Sequence, residues 1–374
     1  MHKKSLQAYL QISIVIVFVY LFLVSIGLMS VAFKGFGKEF AENLIKTTSN
    51  PFVGLFIGIL ATSIVQSSST TTSIVVGMVG SGCITVTCAI PIIMGANIGT
   101  TVTNTLVSIG HIGRREEFKR AVSGATIHDF FNIICVIIFL PLQLTTGFLY
   151  KAATFMSRAF ANVGGIKFTS PIKFATEPLV DIIKNLTLKL SPNSHFAYIC
   201  MLFISILILF AALYFIVQVM KSLIAKRAEI VLNNIVGKYG ILTILVATLF
   251  TAIIQSSSIT TSLMVPLVAA GILTVQTTFP IIMGANIGTT ITAILASFAT
   301  GNIAAITVAF VHFLFNFLGV CLIYPIKPLR KIPIFLAQSL GNIAYKKRHF
   351  VIFYVLGQFF LLPSLIILIS KLFK

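Results

Sequence analysis

Two short stretches of the sequence carry the same polar side chains in the same order, an amide followed by three hydroxyls. Residues 66–73 read QSSSTTTS and residues 255–262 read QSSSITTS, so seven of the eight positions agree. Serine hydroxyls donate hydrogen bonds, and a glutamine amide both donates and accepts them. This combination suits a site for an oxyanion that carries a proton, because such an anion needs several donors and some acceptors.

We predict that the two QSSS motifs bind a tetrahedral oxyanion such as a phosphate dianion. N–H groups at helix N-termini would add further donors and a favourable dipole. The predicted substrate-binding residues are Gln66, Ser67, Ser68, Ser69, Gln255, Ser256, Ser257 and Ser258. Close helix packing is the alternative role for small residues in a membrane helix. Packing does not require an amide beside three hydroxyls, twice, at one spacing.

The positive charge that an anion needs is missing from both motif regions. No lysine or arginine lies between residues 47 and 113 or between residues 239 and 326. A co-transported cation could supply this charge, and sodium prefers the oxygen ligands that amide and hydroxyl side chains offer at a helix break. The candidate sodium ligands on these grounds are Gln66, Asn97, Thr100, Thr101, Thr103, Gln255, Ser256, Asn286, Thr289, Thr290 and Thr292.

Most of these candidates lie in or directly after a second repeated stretch, PIIMGANIGTT, at residues 91–101 and 280–290. The two copies are identical and lie 189 positions apart, the same offset as the QSSS motifs. An identical run of this length excludes chance, so the chain contains an internal duplication. The alternative role for its glycines is tight helix packing.

Asp129 is the only one of the eight acidic residues that lies within an apolar segment. An unpaired carboxylate inside a membrane is costly and usually functional. We therefore consider Asp129 a sodium ligand, with the alternative that it is hydrated near Arg120 or the membrane interface. Its counterpart in the second half is Phe313, so an ion bound by Asp129 would break the twofold symmetry.

A third pair of motifs, HDFFN at residues 128–132 and HFLFN at residues 312–316, contains two histidines. A proton relay is conceivable for groups with an ordinary pKa near 6.5. We favour a structural interpretation, in which His128 and His312 hydrogen-bond a neighbouring helix and the two asparagines do likewise.

The elements that position these motifs must be membrane helices. The chain of 374 residues is 57% hydrophobic and only 9% charged, so its surface must face lipid. A span needs roughly 20 apolar residues, and we count about nine apolar segments. The formal net charge of +19 comes from short loops beside these segments, which favours membrane topology over nucleic-acid binding. The predicted class is an all-α polytopic membrane protein.

The order of motifs divides the chain into two halves. We predict a first repeat at residues 1–150, a linker at 151–195, a second repeat at 196–326, and a basic loop with one extra C-terminal helix at 327–374. Five cysteines lie in or near apolar segments without a CxxC pair, so we expect neither a disulfide nor a metal site there.

Loop charge indicates that the two halves are inverted. The loop after the first GANIGTT carries Arg114, Arg115 and, shortly beyond, Arg120, whereas its counterpart at residues 300–302 is uncharged. By the positive-inside rule these loops lie on opposite sides of the membrane. An odd number of crossings per half requires one segment to enter and leave on the same side. We predict that this segment is a re-entrant or broken QSSS hairpin.

At these motifs the sequence resembles the type II sodium/phosphate cotransporter family, from about residue 10 to residue 372. The resemblance implies inverted repeats, a cytoplasmic N-terminus and sodium-driven uptake of hydrogen phosphate without a cofactor. It also implies a sodium role for Thr289 and Thr292 beside Gln255, and an additional, charge-carrying sodium at Asp129. The linker lacks the cysteines that form a disulfide in animal members, so we expect a compact bacterial member in the plasma, or inner, membrane. One helix follows the second repeat, and the charges of the loops then place the C-terminus outside.

Two alternatives stay open at this point. The substrate could be another oxyanion such as sulfate, because neutral donors alone do not separate tetrahedral anions. The chain could instead be an intramembrane serine hydrolase, but no GxSxG motif is present and a duplicated site is unusual for one nucleophile. Phosphate, sodium and the lipid bilayer are the expected partners, and we do not expect an enzyme.

Overall fold

The computed structural model describes residues 2–162, 171–190, 194–235 and 240–372. Every regular element in these ranges is a helix, which confirms the predicted all-α class. Seven of the described helices are long and apolar enough to cross a membrane, or eight if one bent pair counts as a span. The two further apolar segments expected from the sequence are those with the QSSS motifs, where the helices are shorter.

The first half begins with a long apolar helix and a short amphipathic one. Its helices are α1 (His2–Gly35), α2 (Gly37–Thr48), α3 (Pro51–Val65), α4 (Ser68–Ser81), α5 (Val86–Gly99), α6 (Val102–Ile109), α7 (Arg115–Thr146) and α8 (Phe148–Asn162). The chain bends by 99° between α2 and α3. Asn50 stabilises the start of α3, because its Oδ1 accepts hydrogen bonds from the N–H groups of Phe52 and Val53.

The second half follows the same order after a linker helix. Its helices are α9 (Pro171–Leu190), α10 (Ser194–Ile235), α11 (Gly240–Ile254), α12 (Ser257–Ser262), α13 (Met264–Ala269), α14 (Val275–Thr300), α15 (Ile303–Ile323), α16 (Lys327–Lys346), α17 (Phe350–Leu356) and α18 (Leu362–Leu372). A π-helical turn, Gly357–Leu361, joins the last two. These three segments form the predicted C-terminal helix.

The predicted basic loop after the second repeat is wrong, because residues Lys327–Lys346 form the helix α16. Its apolar residues lie on one face, which packs against the first turns of α7. Gly341 makes this approach possible, since a Cβ atom there would overlap the Ser123 hydroxyl and lie 2.6 Å from the Lys119 carbonyl oxygen. A basic segment with an apolar stripe can therefore be a helix at the membrane surface.

Glycines of the GANIG motifs bring pairs of helices into backbone contact. A Cβ atom at Gly95 would overlap the carbonyl oxygen of Leu55, and one at Gly99 would lie 2.5 Å from that of Ile59. In the second half, Gly284 and Gly288 face carbonyl oxygens of α11 in the same way. The alternative role expected for these glycines, tight packing, is thus present in the structure.

The register of these contacts shows that α3 and α5 run in the same direction, since both contact positions advance together along the two helices. The intervening helix α4 leads from the break at Gln66 to Gly82, four residues before α5 begins at Val86. Because α3 and α5 begin at one end, α3 leads away from that end and α4 returns to it. The contacts support the prediction that the QSSS segment is a re-entrant hairpin.

Two hydrogen bonds between the halves bear on their relative direction. Asn302, at the end of α14, donates from Nδ2 to the carbonyl oxygen of Gly80 near the start of α5, at 3.0 Å. Arg120, in the first turns of α7, donates from Nε to the carbonyl oxygen of Ala269 just before α14, at 2.7 Å. Each end of α14 thus lies near the opposite end of the α5–α6 segment. This supports the prediction of inverted halves.

Both halves contribute to one apolar core around the motif helices. Phe131 of α7 packs edge-on against Phe279 of α14 with ring centroids 5.8 Å apart. Phe139 of α7 packs in the same manner against Phe315 of α15 at 6.0 Å. The motifs of the two halves are therefore held against each other by a shared core.

Candidate functional site

Each QSSS glutamine lies at a break between two helices and adopts a left-handed backbone conformation. Gln66 ends α3 with a φ of 57°, and Gln255 ends α11 with a φ of 60°. Among the described residues, these are the only two non-glycine positions with positive φ. Such a conformation costs about 1–3 kcal/mol and is concentrated at functional sites. Its occurrence at both copies of one motif marks the breaks as a candidate site.

The serine after each glutamine begins the next helix as its N-cap. Ser67 Oγ accepts a hydrogen bond from the N–H of Thr70 at 3.2 Å, and Ser256 Oγ accepts one from the N–H of Ile259 at 3.4 Å. Ser67 Oγ also accepts from the Thr70 hydroxyl at 2.9 Å. Because the Ser67 oxygen acts as an acceptor twice, its own proton can be donated to a bound anion.

The structure brings the two QSSS breaks into direct contact. Ser69 Oγ donates a hydrogen bond to the carbonyl oxygen of Gln255 at 3.2 Å, across 186 positions of the chain. Ser68, Ser69 and Ser257 are buried, whereas Ser67, Ser256 and Ser258 are partly exposed. The eight predicted substrate-binding residues thus form two neighbouring break segments.

The threonines beside the two breaks differ in their bonding. In the first half, Thr100 Oγ1 accepts a hydrogen bond from the N–H of Ser68 at 3.1 Å. Its counterpart, Thr289 Oγ1, is buried and has no hydrogen-bond partner. Thr292 Oγ1 and Gln255 Oε1 are unpartnered as well. Leaving a buried polar atom without a partner costs about 1–3 kcal/mol, so three such oxygens in one half call for a ligand.

The two glutamines also differ in accessibility. Gln255 is buried with a relative exposure of 9%, whereas Gln66 is exposed. Thr103, the counterpart of Thr292, is partly exposed, although its hydroxyl oxygen is buried and unpartnered too. The oxygen-rich set predicted from the sequence is therefore more enclosed in the second half than in the first.

A chain of buried hydrogen bonds connects the two halves through His128. Asn104 donates from Nδ2 to His128 Nδ1 at 3.2 Å, and His128 Nε2 lies 2.6 Å from Asn286 Oδ1. Asn286 donates from Nδ2 to Asn132 Oδ1 at 2.8 Å, and Asn132 donates to the carbonyl oxygen of Asn97 at 2.7 Å. At the other end, Asn104 Oδ1 accepts from the hydroxyl of Thr261 at 2.9 Å.

The donor and acceptor of each bond in this chain follow from the two terminal bonds, in which the Thr261 hydroxyl donates to Asn104 and Asn132 donates to the backbone. The amide oxygen of Asn286 must accept, because its nitrogen donates to Asn132. His128 Nε2 therefore carries the proton, and its Nδ1 accepts from Asn104. The predicted structural role of His128 is confirmed by these contacts. Asn286, a candidate sodium ligand, has both its amide oxygen and its amide nitrogen hydrogen-bonded in this chain.

The second half lacks the corresponding chain. The counterpart of Asn104 is Ala293, and both ring nitrogens of buried His312 are without a hydrogen-bond partner. Asn316 donates only to the carbonyl oxygen of His312, at 3.0 Å, and its own Oδ1 is unpartnered. The prediction that His312 hydrogen-bonds a neighbouring helix is wrong, because Ala293 replaces the amide that would reach it. Asn97, the counterpart of Asn286, donates to Ile93 within its own helix at 2.9 Å.

Asp129 is completely buried, with a relative exposure of 0%. Its Oδ2 accepts a hydrogen bond from the hydroxyl of Tyr354 at 2.8 Å, and its Oδ1 has no partner. The side chains of Thr101 and Thr105 lie beside the carboxyl group. The alternative of a hydrated carboxylate near Arg120 is wrong, because Arg120 bonds Ala269 and Asp129 does not reach solvent.

Sequence reasoning missed two residues of this site. Asn104 is detectable in retrospect, because it is a buried polar residue whose counterpart in an otherwise similar stretch is Ala293. Tyr354 lies outside the duplication, so no comparison between the halves could have singled it out.

Comparisons with known proteins agree with this organisation. A sequence model described as Na+/Pi-cotransporter matches residues 21–169 and 195–325. The Homo sapiens sodium-dependent phosphate transport protein 2B is 34% identical over 436 residues, covering 92% of this chain and 63% of that protein. The Rattus norvegicus sodium-dependent phosphate transport protein 2A is 33% identical, covering 96% of this chain and 68% of that protein. The chain thus spans less than two thirds of the 2B relatives, and no solved structure matches it.

Proposed function

This chain belongs to the Na+/Pi-cotransporter family, and we propose that it carries inorganic phosphate across the membrane in symport with sodium. The observation that carries this proposal is the meeting of the two QSSS breaks, where Ser69 Oγ donates to the Gln255 carbonyl oxygen. Discontinuous helices that meet near the membrane midplane are where secondary transporters hold substrate and coupling ions. The relatives named for sodium-dependent phosphate transport support the same substrate.

The anion is held by neutral donors at the two breaks. The serines of the two motifs lie at or next to these breaks, and the N-terminus of α4 adds N–H groups and its dipole. The N–H of Ser68 is bonded to Thr100 in this structure, so the hydroxyls of Ser67 and Ser256 are the accessible donors. The glutamine amides donate to the anion or accept from its protonated oxygen.

Sodium is held in the second half by the oxygens that lack protein partners. These are Gln255 Oε1, Thr289 Oγ1 and Thr292 Oγ1. Amide and hydroxyl oxygens suit a hard monovalent cation, and no protonatable group is needed for charge balance. We take Gln66, Asn97, Thr100 and Thr103 as the weaker, first-half counterpart, because Thr100 is already bonded to the backbone.

The charge of the cargo depends on how many sodium ions accompany each phosphate. A phosphate dianion with two sodium ions is neutral, and the motif regions contain no lysine or arginine that would change this sum. A third sodium at Asp129 would leave one net positive charge on the cargo when the Asp129 carboxylate remains with the protein. Moving one charge across 100 mV is worth about 2.3 kcal/mol, which strengthens accumulation driven by membrane potential.

The topology follows from the basic clusters. α16 packs against the first turns of α7, so the basic residues of Lys327–Lys346 lie at the same end as Arg114 and Arg115. We assign this end to the cytoplasm by the positive-inside rule, together with the N-terminus. The C-terminus then lies outside, and the membrane is the plasma membrane, or the inner membrane of a bacterial cell.

Uptake into proteoliposomes tests this function directly. We expect radiolabelled phosphate to accumulate with an inward sodium gradient and not with an equal potassium gradient. Excess unlabelled sulfate should leave the uptake unchanged, whereas unlabelled phosphate should abolish it. Uptake independent of sodium would refute the symport, and competition by sulfate would change the substrate to a broader oxyanion class.

The serine hydrolase is set aside on two grounds. The matched family consists of cotransporters. In addition, no serine of either QSSS motif hydrogen-bonds a histidine in the part of the chain that the structure describes, so an activated nucleophile is not formed there.

A further inference from the structure

Two of the departures of the molecule from twofold symmetry meet at one hydrogen bond. Asp129 has Phe313 as its counterpart, so the carboxyl group exists in one half only. The C-terminal segment α17–α18 stands outside the duplication and beyond the residues matched by the family. Tyr354 of α17 donates its hydroxyl proton to Asp129 Oδ2 at 2.8 Å, across 225 positions of the chain.

The ring of Tyr354 is fixed by apolar packing, which aims the hydroxyl at the carboxyl group. Its edge contacts the ring of buried Phe359 at a centroid distance of 6.2 Å. Val355 and Phe359 anchor the same segment in the shared core. The segment continues into the π-helical turn Gly357–Leu361, a feature that often accompanies functional sites.

The hydrogen bond makes the two oxygens of the Asp129 carboxylate differ in their bonding. Oδ2 is occupied by the tyrosine, whereas Oδ1 is buried without a partner. The neighbouring hydroxyls are directed elsewhere, because Thr101 donates to the carbonyl oxygen of Ile98 at 2.7 Å and Thr105 to that of Thr101 at 3.4 Å. Their oxygen lone pairs and Oδ1 therefore remain available for a cation.

We propose that Tyr354 is a positioning residue that holds the Asp129 carboxylate in the orientation in which Oδ1 binds the additional sodium ion. The inference rests on the proposed function, since it takes Asp129 as a sodium site. Without the tyrosine hydroxyl, nothing holds Oδ2, and the carboxylate is free to leave this orientation. Sodium would then have to restore the orientation on binding, which weakens its binding.

The test is Tyr354→Phe, which removes the hydroxyl and keeps the packed ring. We expect the sodium concentration for half-maximal phosphate-evoked current to rise about three- to tenfold, since one charge-assisted hydrogen bond is lost. The phosphate concentration for half-maximal current at saturating sodium should change less than twofold. The matched control is Tyr214→Phe, because Tyr214 is 59% exposed on α10. It should change neither value.

A second variant shows whether the effect passes through the carboxylate. In an Asp129→Asn background, where radiolabelled phosphate uptake replaces current as the measurement, Tyr354→Phe should change the sodium dependence less than twofold further. A full additional effect there would mean that the tyrosine acts at another site, and would overturn the inference. Equal loss of sodium and phosphate affinity, or a fall only in the amount of inserted transporter, would show a structural role and overturn it as well.

The proposed function and this inference fail in different ways. If Asp129→Asn keeps the wild-type charge moved per phosphate, the additional sodium is not at Asp129, so that assignment and the positioning role of Tyr354 are both wrong. If Asp129→Asn makes transport electroneutral while Tyr354→Phe leaves sodium dependence unchanged, the stoichiometry stands and the positioning role is refuted.

Discussion

At the scale of single residues, the left-handed glutamines connect backbone conformation to ligand binding. A residue with positive φ ends one helix and lets the next begin at once, so Gln66 and Gln255 place their side chains at the gap between two helices. The serines that follow cap the new helix and keep a hydroxyl proton for a ligand. In a continuous helix the backbone N–H groups would be hydrogen-bonded within the helix. The strained break interrupts the helix and so leaves hydroxyl and N–H donors at the gap.

Gln255→Ala should raise the sodium concentration for half-maximal phosphate uptake at least about tenfold, because an oxygen without a protein partner is removed from the site. Ser67→Ala should instead raise the phosphate concentration for half-maximal uptake by a similar factor. Uptake into proteoliposomes, titrated with each ion in turn, measures both. The two variants are controls for each other, and wild-type values for both would end the site assignment.

The two histidines form a matched pair for testing the buried network. His128→Leu leaves the amides of Asn104 and Asn286 without their shared partner, so we expect a loss of about 1–3 kcal/mol in stability. His312→Leu removes two ring nitrogens that have no partner, so it should be neutral or stabilising. Thermal unfolding of the purified transporter in detergent compares the pair. A larger drop in Tm for His312→Leu would contradict the network.

At the scale of elements, the GANIG helices have two functions that cannot be separated. Their glycines bring α5 against α3 and α14 against α11, while the Thr100 hydroxyl of the first copy reaches the break at Ser68. The close approach is what lets a short side chain such as Thr100 reach the N–H of Ser68 at 3.1 Å. Helix packing and the contact with the break therefore depend on each other in this segment.

Gly95→Ala should destabilise the fold strongly, because the added methyl group would overlap the carbonyl oxygen of Leu55. Overpacking of this kind typically costs about 1–3 kcal/mol or more. The matched control is Gly113→Ala, at an exposed loop position where a Cβ atom meets nothing within 4 Å. Monodispersity in gel filtration and Tm provide the measurement. Equal behaviour of the two variants would mean that the helices do not approach as described.

At the scale of the whole molecule, twofold repetition and its exceptions have different consequences. The repeated hairpins supply two break segments that meet at one place, as expected of a site reached from either side of the membrane in turn. The exceptions are Gln66 and Gln255, which differ in exposure, and Asp129 with its tyrosine partner. In the proposed transporter, the repeated segments form the candidate site, and these exceptions make its two halves differ in charge and in exposure.

Cysteine labelling tests the inverted arrangement. In a background without the five native cysteines, Thr300→Cys should react with an impermeant thiol reagent from outside the cell, whereas Gly113→Cys should react only after the membrane is opened. The reason is that the two loops follow corresponding helices that run in opposite directions. If both positions reacted from outside, the halves would be parallel and the re-entrant hairpins would lose their support.

Much of this protein was predictable from its sequence. Hydrophobic composition and the length of the apolar runs determine a polytopic helical membrane protein, because lipid leaves no other way to satisfy the backbone. The duplication is visible as identity at a fixed offset, and it predicts QSSS and GANIGTT as candidate sites because both copies keep the same polar side chains at the same spacing. These are properties of composition and of local sequence, which need no knowledge of packing.

Only the tertiary structure decided which of these polar groups are free and which are bonded. Asn286 and Thr289 are three positions apart and looked equivalent as sodium ligands, yet one is bonded to His128 and the other has no partner. Likewise, Asp129 finds Tyr354 at 225 positions of separation, in a helix that has no counterpart in the repeat. Such contacts depend on how distant helices pack and rotate against each other, and the spacing of residues along the chain contains no signal for that.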